Sequence, residues 1–183
     1  MTGAVDHRGV DPEDLIRDTA QRAPSRENLE TLLAAVAARN GAAAPRIDDD
    51  GTVVVSLADE VELTLLHRAG VSGFIAAAPM PDRLAGDPDL LLDLLCANLD
   101  WHRTAGATFA KLPDGGPCVL CGLIPASGGA SDRDVQAFEK SLLDFATRAA
   151  DWIDELELAL DLAGDDRAAE PRPASGPPPA VFA

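Results

Sequence analysis

The chain has 183 residues, of which 46 % are hydrophobic and 25 % charged, values that fit one soluble globular domain with short additions at its ends. Its formal net charge is −16, and such a surface repels nucleic acid phosphates and anionic lipid, so neither is expected as a partner. The same charge would attract a basic polypeptide and keep a protein with exposed apolar grooves in solution, although acidic surfaces often serve solubility alone.

The two ends of the chain differ in composition from its middle. Residues 1–20 are polar and acidic, without the positively charged start and apolar run of a signal peptide, and residues 1–24 are expected to form a flexible extension. Residues 163–183 contain five prolines and few apolar side chains, so we expect a disordered tail. No stretch has the roughly 20 apolar residues that a membrane helix needs. Three cysteines, an odd number, argue against a disulfide framework and favour a reducing cytoplasm.

The first predicted helix begins after Ser25, a good N-cap, and ends at Gly41, which suits the left-handed position after a helix. Its apolar residues repeat at helical spacing: Leu29, Leu32, Leu33, Val36 and Ala37. Three strands should follow, over residues 52–57, 61–66 and 74–78, because β-branched or alternating apolar residues lie between turn signals. The first two strands should form a hairpin, and two prolines should end the third.

The second predicted helix begins at Asp87-Pro88, a capping carboxylate followed by proline at the first helical position. Its apolar surface is wider than one stripe, because leucines occupy six of ten positions: Leu90, Leu91, Leu92, Leu94, Leu95 and Leu99. A helix that is apolar on more than one face needs more than one packing partner. We expect the sheet to be one partner, and a second copy of the protein is the candidate for the other.

Two further strands, joined by a turn at residues 114–116, precede a long final helix that opens with a capping box of Ser131 and Asp134. Apolar residues then follow a 3-4 spacing: Val135, Phe138, Leu142, Phe145, Ala149, Trp152 and Leu156. This spacing favours the core face of a helix that lies across the sheet over a coiled-coil seam. The order α-β-β-β-α-β-β-α predicts an α+β domain over residues 25–162, with helices packed on a twisted antiparallel sheet.

No residue pattern in the chain indicates catalysis, a metal site or a cofactor. Cys118 and Cys121 have CxxC spacing, but in a strand residues three apart point to opposite faces, and no second cysteine or histidine pair accompanies them. The acidic turn at Gly51 fails as an EF-hand because Arg46 would take the first ligand position. Nucleophile elbows, HExxH pairs and glycine-rich phosphate loops do not occur. We therefore expect a binding protein and not an enzyme.

One long segment resembles a known protein family. Residues 91–125, LLDLLCANLDWHRTAGATFAKLPDGGPCVLCGLIP, contain a leucine-rich helix ending in an Asn-Leu pair, a short link into a strand, an Asp-Gly turn and a strand that leads to a proline. This succession resembles the class I type III secretion chaperones, the Tir chaperone family. The first hairpin, residues 50–66, and the final helix also fit, so the resemblance covers residues 25–157.

The resemblance implies a homodimeric chaperone in the bacterial cytoplasm, with a role in protein secretion and virulence. It would bind the N-terminal, non-globular region of a secreted effector and keep it soluble and export-competent, without hydrolysing ATP. Components of the secretion apparatus are a further candidate partner. The alternative is a stand-alone dimeric α+β adaptor that binds some other peptide and has no link to secretion.

Two sets of residues are candidates for the binding surfaces. The excess apolar surface of the second helix, with the neighbouring strand, predicts a dimer interface at Leu91, Leu94, Leu95, Asn98 and Thr108. The effector groove is expected among the apolar residues that stay exposed on the first helix and the early strands: Leu29, Leu33, Val36, Val53, Val55, Leu63, Leu65 and Phe74. Some of these must form the core of the domain, and the sequence does not sort them.

Overall fold

Four α-helices and a five-stranded antiparallel sheet make up the part of the chain that the computed structural model describes, namely residues 25–57, 61–113 and 115–169, with the backbone alone for 164–169. The helices are α1 Arg26–Arg39, α2 Pro88–Ala97, α3 Trp101–Thr104 and α4 Asp132–Ala169, and a 3₁₀-helix covers Asp82–Gly86. The strands are β1 Thr52–Ser56, β2 Glu62–His67, β3 Gly73–Pro79, β4 Thr108–Lys111 and β5 Cys118–Pro125. The predicted α+β class is confirmed.

The sheet has the strand order β1-β2-β3-β5-β4, and every neighbouring pair is antiparallel. Consecutive strands form hairpins at both ends of this order, while β3 pairs with β5 and not with β4. The order leaves β1 and β4 as the two edge strands. An edge strand carries backbone groups without a strand partner, so these two edges decide where another chain can pair with the sheet.

Side-chain caps fix the predicted helix starts. The Ser25 hydroxyl accepts a hydrogen bond from Asn28 N (3.2 Å), and the Asp87 carboxylate accepts from the second and third backbone N–H groups of α2 (3.2 Å each). At α4 the predicted capping box forms, because Ser131 N donates to the Asp134 carboxylate (3.0 Å) and Asp134 N donates to the serine hydroxyl (3.3 Å).

The hydrophobic core lies between one face of the sheet and the helices α1 and α4. Strand positions that alternate along β2 and β3 supply fully buried side chains, and Phe74 packs on Phe138 of α4 with ring centroids 5.8 Å apart. On the other face of the sheet Leu66 and Ile75 are half-buried and Val54 is 53 % exposed. One sheet face is therefore covered, and the other keeps apolar side chains partly accessible.

Three features differ from the expectation. The 3₁₀-helix before α2 and the four-residue helix α3 were not predicted, since neither is long enough to show a periodic pattern. Helix α4 continues to Ala169, so the predicted tail boundary at residue 163 falls inside it. The predicted extension, residues 1–24, and the rest of the tail, residues 170–183, lie outside the described residues.

Candidate functional site

The part of the chain that the structure describes gives no sign of a reacting centre. Within the described residues there is no group of three or more His, Cys, Asp or Glu side chains placed to hold a metal ion, and no helix long and apolar enough to cross a bilayer. Cys118 is buried and Cys121 half-buried, and burial raises the pKa of the Cys121 thiol. A raised pKa lowers the thiolate fraction, the opposite of what a nucleophilic cysteine needs. The features described next are two surfaces.

The structure places seven of the eight predicted effector-binding residues in the core of the subunit. These are Leu29, Leu33, Val36, Val53, Leu63, Leu65 and Phe74, each at most 9 % exposed, whereas Val55 is half-buried. The reason is general: the periodicity that reveals an amphipathic helix or strand selects its inward-facing residues. Only side chains at the border of the core can serve both the core and a groove.

Such a border exists where α1, β1 and α4 meet. A cavity of about 380 Å³ opens there, and we call it the β1 groove. Leu33, Val36 and Leu142, which belong to the core, form part of its wall, and Leu143 at 45 % exposure contributes an accessible apolar side chain. Val55 of β1 belongs to the same apolar lining. Two of the predicted groove positions on α1 and one on β1 are thus brought together at one site.

The polar side chains at one end of the β1 groove already have partners within the chain. Asn40 Nδ2 donates hydrogen bonds to Val36 O (2.9 Å) and to the Glu139 carboxylate (2.8 Å). Arg39 lies 3.4 Å from the same carboxylate. These groups connect the end of α1 to α4 and hold the width of the groove. A ligand in the groove would therefore gain mainly from apolar contact.

The outer edge of β1 follows from its pairing with β2. Gly51 O accepts a hydrogen bond from His67 N (2.7 Å), and Leu57 N donates to Val61 O (3.0 Å). Backbone groups alternate in direction along an antiparallel strand, so the odd-numbered residues of β1 face β2 and the even-numbered residues face outward.

Described residues close the first of these outward positions, and none of them closes the next two. Thr52 O accepts from Asp48 N (2.8 Å), and Thr52 N donates to the Asp50 carboxylate (3.0 Å). No described residue bonds to the outward backbone groups of Val54 and Ser56. These two residues lie beside the β1 groove, so an open sheet edge and an apolar cavity are adjacent.

The opposite edge is closed by a side chain. Leu112 N donates to Pro117 O (3.1 Å), and by the same alternation the backbone groups of Phe109 and Lys111 point away from β5. Phe109 N donates to Asn98 Oδ1 (2.7 Å), and Asn98 Nδ2 donates to Phe109 O (3.0 Å). Asn98, predicted at a dimer seam, thus links the end of α2 to the edge strand β4 within one subunit.

The other predicted interface residues separate by burial. Leu94 is 5 % exposed and belongs to the core, Leu91 is half-buried, and Leu95 is 60 % exposed. Thr108 is exposed on β4. Leu95 and three residues outside the predicted interface set are large apolar side chains that stay exposed. We call these four the α2 surface: Leu92, Leu95, Leu99 and Trp101, exposed by 59 to 85 %. The sequence signal that could have pointed to this surface is Trp101, which follows the leucine-rich helix.

Contacts with α4 anchor the segments on both sides of α2. Arg103 of α3 forms an ion pair with Glu155 and lies over the Trp152 ring, 4.7 Å from its centroid. Phe109 meets the same tryptophan edge-on at 4.8 Å. Arg83, just before α2, pairs with two further carboxylates of α4. The chain is therefore tied to α4 both before α2, at Arg83, and after it, at Arg103.

Comparisons with known proteins agree with this architecture. A profile described as the Tir chaperone protein (CesT) family matches residues 19–152. No curated protein sequence matches significantly. The ExsC–ExsE complex contains a chain that is 21 % identical, with a TM-score of 0.59 over 72 % of this chain and 95 % of that one. The HopA1–SchA chaperone–effector complex gives 17 % identity and a TM-score of 0.54 over 71 % and 98 %. At these identities the two structures support the fold, and the profile match over most of the chain shows that the protein belongs to the Tir chaperone family of type III secretion chaperones.

Proposed function

We propose that this protein is a cytoplasmic type III secretion chaperone that, as a homodimer, binds the N-terminal non-globular region of a secreted effector and keeps it soluble and export-competent. The observation that carries the proposal is the open edge of β1 beside an apolar groove. The family supports it, as does the fold shared with a chaperone–effector complex.

An extended effector segment fits this site in one way. Its backbone would pair with the outward groups of Val54 and Ser56, and alternate side chains would enter the β1 groove. Backbone pairing gives affinity with little dependence on sequence, whereas the groove selects for apolar side chains. Both contributions are needed, because a non-globular segment loses conformational entropy when it binds.

Dimerisation would use the α2 surface. Four large apolar side chains exposed by 59 to 85 % form a patch that a second copy can cover around a two-fold axis. The patch and the β1 groove are formed by different elements, so one surface can serve the dimer and the other the effector. The net charge of −16 opposes further association through either surface.

Two substitutions test the β1 edge. Val54→Pro removes an outward backbone donor without removing a hydrogen bond to β2, and proline is tolerated in an edge strand. Val54→Thr keeps the backbone donor and the side-chain shape, and is the matched control. We expect Val54→Pro to weaken binding of an effector's N-terminal segment at least about tenfold by calorimetry, with Val54→Thr close to wild type.

A second pair tests the groove. Leu143→Asp places a charge in the β1 groove, whereas Leu158→Asp adds the same charge to an exposed position of the same helix away from it. We expect only the first to abolish binding, with both variants folded by circular dichroism. Affinity should change little with added salt, since apolar burial dominates and charge mainly raises the association rate for a basic client.

Candidate clients are the secreted proteins encoded beside the chaperone gene. Leu143→Asp binding such a segment with unchanged affinity would place the effector site elsewhere. Strong binding only to peptides from proteins that are never exported would favour the adaptor alternative.

A further inference from the structure

The two edges of the sheet differ in one respect that the chaperone function does not itself explain. At β4 both outward backbone groups of Phe109 are bonded to a single side chain, that of Asn98, at 2.7 and 3.0 Å. At β1 the outward groups of Val54 and Ser56 have no partner among the described residues. Among the residues that the structure describes, a side chain closes the β4 edge and nothing closes the β1 edge at these two positions.

The carboxamide is the side-chain group that best imitates a peptide unit, because it carries one acceptor oxygen and an N–H donor in one plane. Asn98 presents both to a single residue of the edge strand, as a residue of a neighbouring strand does in a hydrogen-bonded antiparallel pair. It sits at the C-terminal end of α2, so the helix delivers the carboxamide to the strand.

We propose that Asn98 acts as a substitute strand residue that closes the β4 edge, so that the sheet can take up an added strand at β1 alone. The closing of β4 stands on its own geometry, whereas the use of β1 by a client rests on the proposed function.

The rest of β4 agrees with this role. The strand has only four residues, and its other outward-facing position is Lys111, an exposed cation. Short length and an edge lysine are two ways in which proteins discourage pairing between sheets. The side chain of Phe109 is 5 % exposed and packs on Trp152, so the strand cannot turn its backbone away. Lys111 thus protects one outward position by its charge, and Asn98 protects the other by bonding to the backbone of Phe109.

The test opens the β4 edge without any client. Asn98→Ala removes both hydrogen bonds, and Asn98→Asp keeps the acceptor for Phe109 N while removing the donor to Phe109 O. Asn40→Ala is the matched control, since Asn40 likewise follows a helix and bonds through its carboxamide but lies beside no β4 backbone. All variants are compared with wild type by amide hydrogen exchange and by light scattering at increasing protein concentration.

We expect exchange at the Phe109 amide to rise at least about tenfold in Asn98→Ala and to stay near wild type in Asn98→Asp and Asn40→Ala. Asn98→Ala should also form assemblies larger than wild type as its concentration increases, since two open β4 edges can pair. Unchanged exchange at Phe109 in Asn98→Ala would overturn the inference. So would a folded Asn98→Ala variant that only dissociates into smaller particles, because that result makes Asn98 a dimer contact instead.

Should Asn98→Ala fail to fold, Asn98→Asp provides the test. Fast exchange at the Phe109 amide would overturn the hydrogen bond from Phe109 N to residue 98 and with it the inference, whereas retained protection supports both. None of these measurements uses an effector, so their outcome is independent of the proposed chaperone function.

Discussion

Two adjacent leucines of α2 allow the stability of one chain to be tested separately from the stability of the proposed dimer. Leu94 is 5 % exposed and Leu95 is 60 % exposed, although both were predicted at the interface. Fully burying a leucine side chain contributes about 1.5–3 kcal/mol, so covering the exposed part of Leu95 in a dimer is worth about 1–2 kcal/mol per subunit. Because a two-fold interface uses the residue twice, Leu95→Ala should weaken dimerisation by about 2–4 kcal/mol, or about 30- to 700-fold in Kd.

Leu94→Ala should act on the subunit instead. Truncating a buried leucine leaves a cavity and costs about 2–5 kcal/mol of the free energy of unfolding. Sedimentation velocity over a series of concentrations gives the dissociation constant, and urea denaturation of the dissociated protein gives subunit stability. We expect the first measurement to respond mainly to Leu95→Ala and the second mainly to Leu94→Ala. A wild-type monomer at micromolar concentration, or an unchanged Kd for Leu95→Ala, would refute the assignment of the α2 surface to the dimer.

Three further predictions concern the subunit alone. Ala105 has a left-handed backbone (φ 48°), so Ala105→Gly should raise the free energy of unfolding by about 0.5–1 kcal/mol in urea denaturation. A Cβ atom at Gly122 would lie 2.7 Å from the Phe145 ring, so Gly122→Ala should lower the free energy of unfolding by about 1–3 kcal/mol. The double variant with Phe145→Leu should recover part of this loss. Hydrogen bonds from Ser131 and Ser127 hold the pKa of the Asp134 carboxyl below its usual 3.8. The ionised carboxylate therefore stabilises the fold above that pH, and this stabilisation is lost as the pH falls through the lower pKa of the folded state. Asp134→Asn should therefore show a weaker loss of stability in acid than wild type, and Asp132→Asn, at the same helix end, is the control.

The sequence predicted the elements well where their signals are local. The caps at Ser25, Asp87 and Ser131 form as expected, because each needs only a side chain and a backbone amide a few residues away. The strand order was not predictable in the same way. That β3 pairs with β5 depends on contacts between distant segments, and no local pattern marks β4 as an edge.

The site was harder to predict than the fold for a physical reason. Leu63 and Leu65 have the alternation of groove candidates, but the same alternation is what buries them at 0 % exposure. For Asn98 the missing information was the position of a distant strand. Its place after a leucine-rich stretch suggested an interface, whereas its two bonds to Phe109 depend on β4 returning beside α2. Groove and edge are properties of neighbouring elements, and a single segment does not encode them.

The strand order also fits the proposal that one small chain both dimerises and binds an effector. The α2 surface adjoins β4 through Asn98, whereas β1 lies four strand spacings away, about 19 Å across the sheet. The proposed two-fold association through α2 would therefore leave the β1 edge of each copy away from the contact between the copies. A client segment long enough to reach both β1 grooves would gain from the second contact at a high effective concentration. An accessible β1 edge on each copy would favour one extended client chain wrapped around the proposed dimer over sheets paired edge to edge.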